Sequence, residues 1–78
     1  MPMNKLLTIL REICPDVAFD TEENLMDSGA IDSFDIVAIV GEIGAAYSIQ
    51  VPVEEIKSEN FNSAKAMLAM IERVKAEG

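Results

Sequence analysis

Between Met3 and Cys14 the apolar residues Leu6, Leu7, Leu10, Ile13 and Cys14 recur every three or four positions, with Lys5 and Arg11 on the other side. That spacing lines one face of a helix, and Pro15 with Asp16 closes the run because proline cannot continue the hydrogen-bond ladder. A second helix is predicted from Ser33 to about Tyr47: Gly29 breaks the preceding chain, Asp32 is placed to cap the start, and Asp35 follows three residues later. At 100° per residue Ile36, Val40, Ile43 and Tyr47 fall in one stripe and are expected to bury. Phe34, Ala38, Gly41 and Ala45 project from the opposite side, bordered by Asp35 and Glu42. A helix whose outer face carries so little charge is covered by its own chain or by another protein, and one domain's worth of residues favours the partner. Gly44 is expected to loosen the end of this helix.

The remaining pattern is less regular. Residues 15–32 form a long connection that Val17, Phe19, Leu25, Met26 and Ile31 should pin to the core, with Asp20-Thr21-Glu22-Glu23 able to start one short helical turn. Pro52 suits the first turn of a short third helix, Val53 to about Ser58, with Glu54 and Glu55 at its positive end and Ile56 as main anchor. Asn62 or Ser63 then caps a last helix in which Ala64, Met67, Leu68, Ile71 and Val74 face inward. Arg73 and Lys75 complement its negative end, and residues 76–78 should fray. The fold class is therefore all-α: a small four-helix bundle of three main helices and one short third helix, with a long first connection, forming one domain over residues 1–78.

Composition narrows the function. Seventy-eight residues, half of them hydrophobic, suffice for one core that buries about 60% of the unfolded surface. Twelve of the 14 acidic residues lie between positions 12 and 59, where Lys57 is the only base after Arg11, and the net charge is -8. Nucleic-acid binding needs phosphate-neutralising bases and is excluded on that ground, whereas docking onto basic protein surfaces gains in rate and orientation. Cys14 is the lone cysteine and there is no histidine. A disulfide framework, a His/Cys zinc site and a nucleophile–histidine pair all fall away, so Ser33 lacks the base a hydrolase would need, and Cys14 reads as a buried small apolar residue. A calcium loop starting at Asp16 fails because Ala18 occupies its third position and Thr21 the place of the required glycine. No metal site is expected. Met1-Pro2-Met3-Asn4-Lys5 lacks a signal pattern, and the longest apolar or glycine run, Ile36 to Gly41, is too short to span a bilayer, so a cytoplasmic, monomeric protein is expected.

The chemistry concentrates at Ser33. A hydroxyl in the first turn of a helix lies where unpaired N–H groups and the positive end of the helix dipole favour a phosphodiester attached to it. The alternative is an acidic helical interaction module in which Asp32 and Ser33 merely cap the helix.

Asp32-Ser33-Phe34-Asp35 after Gly29 and a first half of roughly 30 residues, then an apolar helix, Val51-Pro52-Val53, a short acidic helix and a last amphipathic helix, resembles the acyl carrier protein family over essentially the whole chain. The resemblance implies a carrier and not an enzyme. A phosphopantetheinyl transferase would attach 4'-phosphopantetheine from coenzyme A to Ser33, and the arm's thiol would hold an acyl or aminoacyl group as a thioester. An acyl- or aminoacyl-activating ligase would load it, and an acyltransferase or synthase would take it onward. By position, Asp32 would assist docking of the transferase with its metal–coenzyme complex, and Phe34, Asp35, Glu42, Glu54, Glu55 and Ile56 would meet partner surfaces.

In carriers of fatty-acid type the faces of the second and third helices part to admit an acyl chain; here Ile36, Val40, Ile43, Ile56, Met67, Leu68 and Ile71 are equally compatible with such a space and with a closed core. Fatty-acid carriers typically show Gly-Ala-Asp-Ser-Leu-Asp and a glutamate-rich helix. This chain places Ile31 before Asp32 and has only Asp35 and Glu42 along the helix. It is more similar to free-standing specialised carriers, D-alanyl carriers and carriers of adenylating ligases among them.

Overall fold

The apolar runs become helices because each finds a neighbour to bury its face against. The computed structural model describes residues 2–77. Four α-helices, α1 (Pro2–Ile13), α2 (Ser33–Tyr47), α3 (Ser58–Phe61) and α4 (Ala64–Glu77), are joined by irregular segments and a 3-10 turn at Val53–Glu55, with no strand among the described residues. α1 packs against α2 and α4, and α3 against α4. Leu6, Leu10, Ile36, Ile39, Ile43, Phe61, Met67, Met70 and Ile71 make the shared core. The all-α bundle is thus as the pattern predicts.

Within the helices the buried positions differ in detail from the pattern. In α2, Ile36 and Ile43 are buried but Val40 and Tyr47 are only half-buried, while Ile39, outside the predicted stripe, is fully buried. The buried arc is centred on Ile43 and turned toward Ile39, which leaves Val40 and Tyr47 at its edge. In α4, Met70 is fully buried and Leu68 half-buried. The helix is capped by Ser63, whose Oγ accepts the Ala66 amide at 3.0 Å, and it runs on through Glu77; of the tail expected to fray, Gly78 lies outside the described residues.

The segment after Pro52 departs further from the pattern. No helix spans Val53 to Ser58: the 3-10 turn stops at Glu55, Lys57 is extended (φ -150, ψ 159), and α3 begins afresh at Ser58. Ile56 is 37% exposed and anchors nothing; Val51 and Phe61 do. The reason is Asn60, whose Nδ2 donates to the Glu55 carbonyl at 2.8 Å and to its Oε1 at 3.0 Å. That bond satisfies a carbonyl that a continuing helix would have used, and the break lets α3 deliver Phe61 into the core.

The long connection is pinned as expected by buried Phe19, Leu25 and Ile31. Asp20–Glu23 starts no helix: one turn closes through Glu22 N–H to Ala18 O, and Glu22 Oε1 then accepts from the amides of Glu23 and Asn24, both at 3.0 Å. Gly29 has φ +81, a left-handed conformation that glycine adopts without strain. Gly44 does not loosen α2. Its bare Cα admits the Ile49 carbonyl, which a Cβ would meet at 3.1 Å, and so permits the reversal after Ser48. Lys5 closes the same end, donating to Ala46 O at 2.8 Å with its Nζ 4.4 Å from the centre of the Tyr47 ring.

Glu55 also ties the 3-10 turn to α4 through a charge-assisted bond from Arg73. That bond holds its carboxyl below the ordinary value of 4.5, against a smaller opposing effect of desolvation, with the Arg73 charge, Asn60 and Lys57 assisting. A carboxyl whose value is lowered by folding stabilises the fold above its unfolded value and loses that contribution as pH falls through the folded one. The stability gap between wild type and Glu55→Gln is therefore expected to be open at pH 7 and to close below about pH 4, as urea midpoints at both pH values would show.

Candidate functional site

At the start of α2 the backbone and two carboxylates build a small frame. Asp32, in extended conformation, caps the helix: its Oδ1 accepts the Asp35 amide at 3.0 Å, and Asp35 Oδ2 accepts the Asp32 amide at 3.1 Å. This reciprocal box forms because a carboxylate at the cap and another three residues on can each satisfy an amide that the first turn leaves without a partner. The Ile36 amide donates to Asp32 O. The amides of Ser33 and Phe34 have no acceptor among the described residues.

Ser33 is the first residue of α2 and is exposed. Capping is done by Asp32, and the Ser33 side chain takes no part in it, which removes the ground for reading Ser33 as a mere cap. On one side of it lies an open groove of about 330 Å³ lined by Met26, Ser33, Ile36, Val37, Val40 and Ile56. Cys14, half-buried rather than buried, lies beside Asp35. Burial first, then a hydrogen bond and charge from Asp35 and charge from Asp32, push its thiol up from 9.0. It stays protonated at neutral pH.

Of the residues predicted to meet partners, Phe34 is 84% exposed, Glu42 and Glu54 are exposed, and Ile56 opens onto the groove beside Ser33. Asp35 is half-buried and engaged in the cap. Glu55 is committed to Arg73 and Asn60. Val37, 72% exposed, lines the same groove as Ile56, and Val53 is 82% exposed; helical spacing from Ser33 would have found Val37. The residues weighed as lining an acyl space divide: Ile43, Met67 and Ile71 are sealed at 0% exposure, whereas Ile36, Val40 and Ile56 line the outer groove. Among the described residues no cluster of His, Cys, Asp and Glu could hold a metal ion, and no helix is long and apolar enough to cross a membrane.

The start of α2 thus holds an exposed serine beside two amides without an acceptor, at the lining of an apolar groove. Residues 4–71 match the family described as phosphopantetheine attachment site. The chain is 34% identical over 59 residues to the D-alanyl carrier protein of Streptococcus equi subsp. zooepidemicus (strain MGCS10565), covering 76% of this chain and 75% of that protein. It is 32% identical over 65 residues to the D-alanyl carrier protein of Streptococcus suis (strain 05ZYH33), covering 82% of each.

The chain belongs to the phosphopantetheine attachment site family, and it is an acyl or aminoacyl carrier whose prosthetic group is covalently attached 4'-phosphopantetheine. The residues present fit that group: a free hydroxyl, two unclaimed amides for a phosphate and an apolar groove for the pantetheine stretch. The capping-module alternative is not favoured.

Proposed function

We propose that Ser33 Oγ carries the arm and that the cargo is a small aminoacyl group, D-alanine, loaded by an adenylating ligase and handed to a downstream acyltransferase. The observation that carries this is the exposed Ser33 hydroxyl at the first position of an Asp32-capped helix, in a chain whose relatives at 32–34% identity are D-alanyl carrier proteins. When bound, the arm supplies a terminal thiol on which cargo is held as a thioester. The protein's own residues do the rest. The Ser33 and Phe34 amides and the dipole of α2 offset the phosphodiester's charge. Asp32 orients the first turn and, exposed, presents a carboxylate to the transferase with its metal–coenzyme complex. Phe34, Val37 and Ile56 offer partners an apolar contact with Asp35, Glu42 and Glu54 around it, while Glu55 holds the 3-10 turn in place behind them.

A sealed core under α2 supports a small cargo that stays on the arm. The protein acts as a single domain over residues 1–78, as a non-catalytic monomer in the cytoplasm. The test is stepwise intact mass: coenzyme A and a broad-specificity transferase add the arm, and ATP, D-alanine and a D-alanine-activating ligase then add one hydroxylamine-labile D-alanyl group. Efficient charging by fatty-acid enzymes with no charging by D-alanine would overturn the cargo.

A further inference from the structure

We infer that Arg73, acting through Glu55 and Asn60, is a positioning residue: it fixes Ile56 as a wall of the groove beside Ser33, where the pantoyl end of the arm is seated, an inference that rests on the carrier reading above. The walls of that groove are held in different ways. Ile36, Val37 and Val40 belong to α2 and are placed by its hydrogen bonds. Met26 stands on the long connection, and its amide donates to Asn62 Oδ1 at 3.0 Å. Ile56 belongs to no helix. It lies between the end of the 3-10 turn and extended Lys57, with φ -84 and ψ 85, and it is too exposed for the core to hold it.

What holds it is the residue before it. The Glu55 carbonyl accepts from Asn60 Nδ2 at 2.8 Å and from the Lys57 amide at 3.1 Å, while Glu55 Oε1 accepts from the same Nδ2 at 3.0 Å and from Arg73. Asn60 is the one buried polar residue among those described, and a buried amide is tolerated only when its hydrogen bonds are made. Arg73 stands on α4, which Met70, Ile71 and Val74 lock into the core. A fixed helix therefore reaches back 18 residues to the point from which Ile56 projects. An ion pair with so much solvent around its arginine adds little to stability; what it sets is where the chain turns. The arm's phosphate leads through one methylene to a carbon bearing two methyl groups, its most apolar part. Val40 is seven residues on from Ser33, about 10 Å along α2, so the groove accepts that end directly from the attachment point. Seating it shortens the free tether and concentrates the thiol near the surface.

The experiment records methyl NMR spectra of wild type, Arg73→Met, Arg73→Lys and Glu55→Gln before and after coenzyme A and a broad-specificity transferase add the arm, with intact mass confirming each addition. Comparing each variant with itself removes any change due to the substitution alone. In wild type the Ile56 and Val40 methyl resonances move when the arm is added. Arg73→Met keeps the aliphatic stem and loses the charge, and the arm-induced shift at Ile56 disappears. Arg73→Lys restores it, because Glu55 is met by a single guanidinium nitrogen, which an ammonium can replace. Glu55→Gln keeps an acceptor without the charge and gives an intermediate shift, and it carries the comparison if circular dichroism shows Arg73→Met unfolded. An Ile56 signal that ignores the arm in wild type, a shift in Arg73→Met equal to that of wild type, or equal losses in Arg73→Lys and Arg73→Met overturns the inference while the carrier reading stands. No mass gain on wild type refutes the carrier reading and the inference with it.

Discussion

Ser33→Ala is expected to lose the arm completely: no mass gain after coenzyme A and a broad-specificity transferase, and no subsequent charging by any ligase, from a protein whose fold is intact. The hydroxyl is exposed and outside the capping box, so its removal should change stability by less than about 0.5 kcal/mol. Circular dichroism and urea midpoints check that half of the expectation. An arm added to Ser33→Ala would mean that another of the chain's hydroxyls is the acceptor. Asp32→Asn separates the frame from the chemistry at this site. Asparagine keeps an N-cap acceptor and the helix start, but it removes the charge that the metal–coenzyme complex would meet, so arm addition should slow by about tenfold or more at nearly constant thermal midpoint. A rate equal to wild type would confine Asp32 to capping.

The second large effect is structural. Asn62→Ala is expected to destabilise the protein by about 2 kcal/mol, a large share of the roughly 3–5 kcal/mol that a core of this size supplies. Asn62 Oδ1 accepts the amides of Met26 and Asp27 at 3.0 and 3.1 Å, and its Nδ2 donates to Asp27 Oδ2 at 3.0 Å. Its carbonyl also accepts the Leu25 amide at 2.9 Å. Alanine keeps only that last bond and leaves a half-buried amide without a partner. The midpoint should fall by about 8–16 °C, and hydrogen exchange should accelerate across residues 24–31, the segment that delivers the chain to Asp32. Asn62→Asp keeps the acceptor but sets a second carboxylate against Asp27, so its deficit should shrink as pH falls into the carboxylate range. A deficit in Asn62→Ala below about 0.5 kcal/mol would show that the buried side chains alone hold the connection.

Where the sequence was legible, local rules and tertiary demands agreed. α2 was readable end to end because Asp32 and Asp35 are three apart and the capping box needs no other part of the chain. Its outer face was readable because helical geometry places Phe34, Ala38, Gly41 and Ala45 together whatever the core does. Glu55 shows the opposite case. Its acidity and its neighbours Glu54 and Ile56 suggest a partner contact, yet its carboxylate is taken by Arg73, 18 residues away, and by Asn60. No periodicity announces such a pairing. The pattern offers Asn62 or Ser63 as the cap of the last helix; Ser63 does the capping, and Asn62 instead reaches back 36 residues to Met26, which no local rule announces.

The amino-acid order by itself determined the three main helices, the Asp32 frame around Ser33 and the negative surface, because capping, spacing and charge act over a few residues. The tertiary structure alone decided that the segment after Pro52 breaks into a 3-10 turn and a separate α3, that Ile39 and Met70 join the core, and that Asn62 holds the long connection. Each depends on which distant group satisfies a backbone polar atom or fills space in the shared core. That competition is settled only when the whole chain has packed.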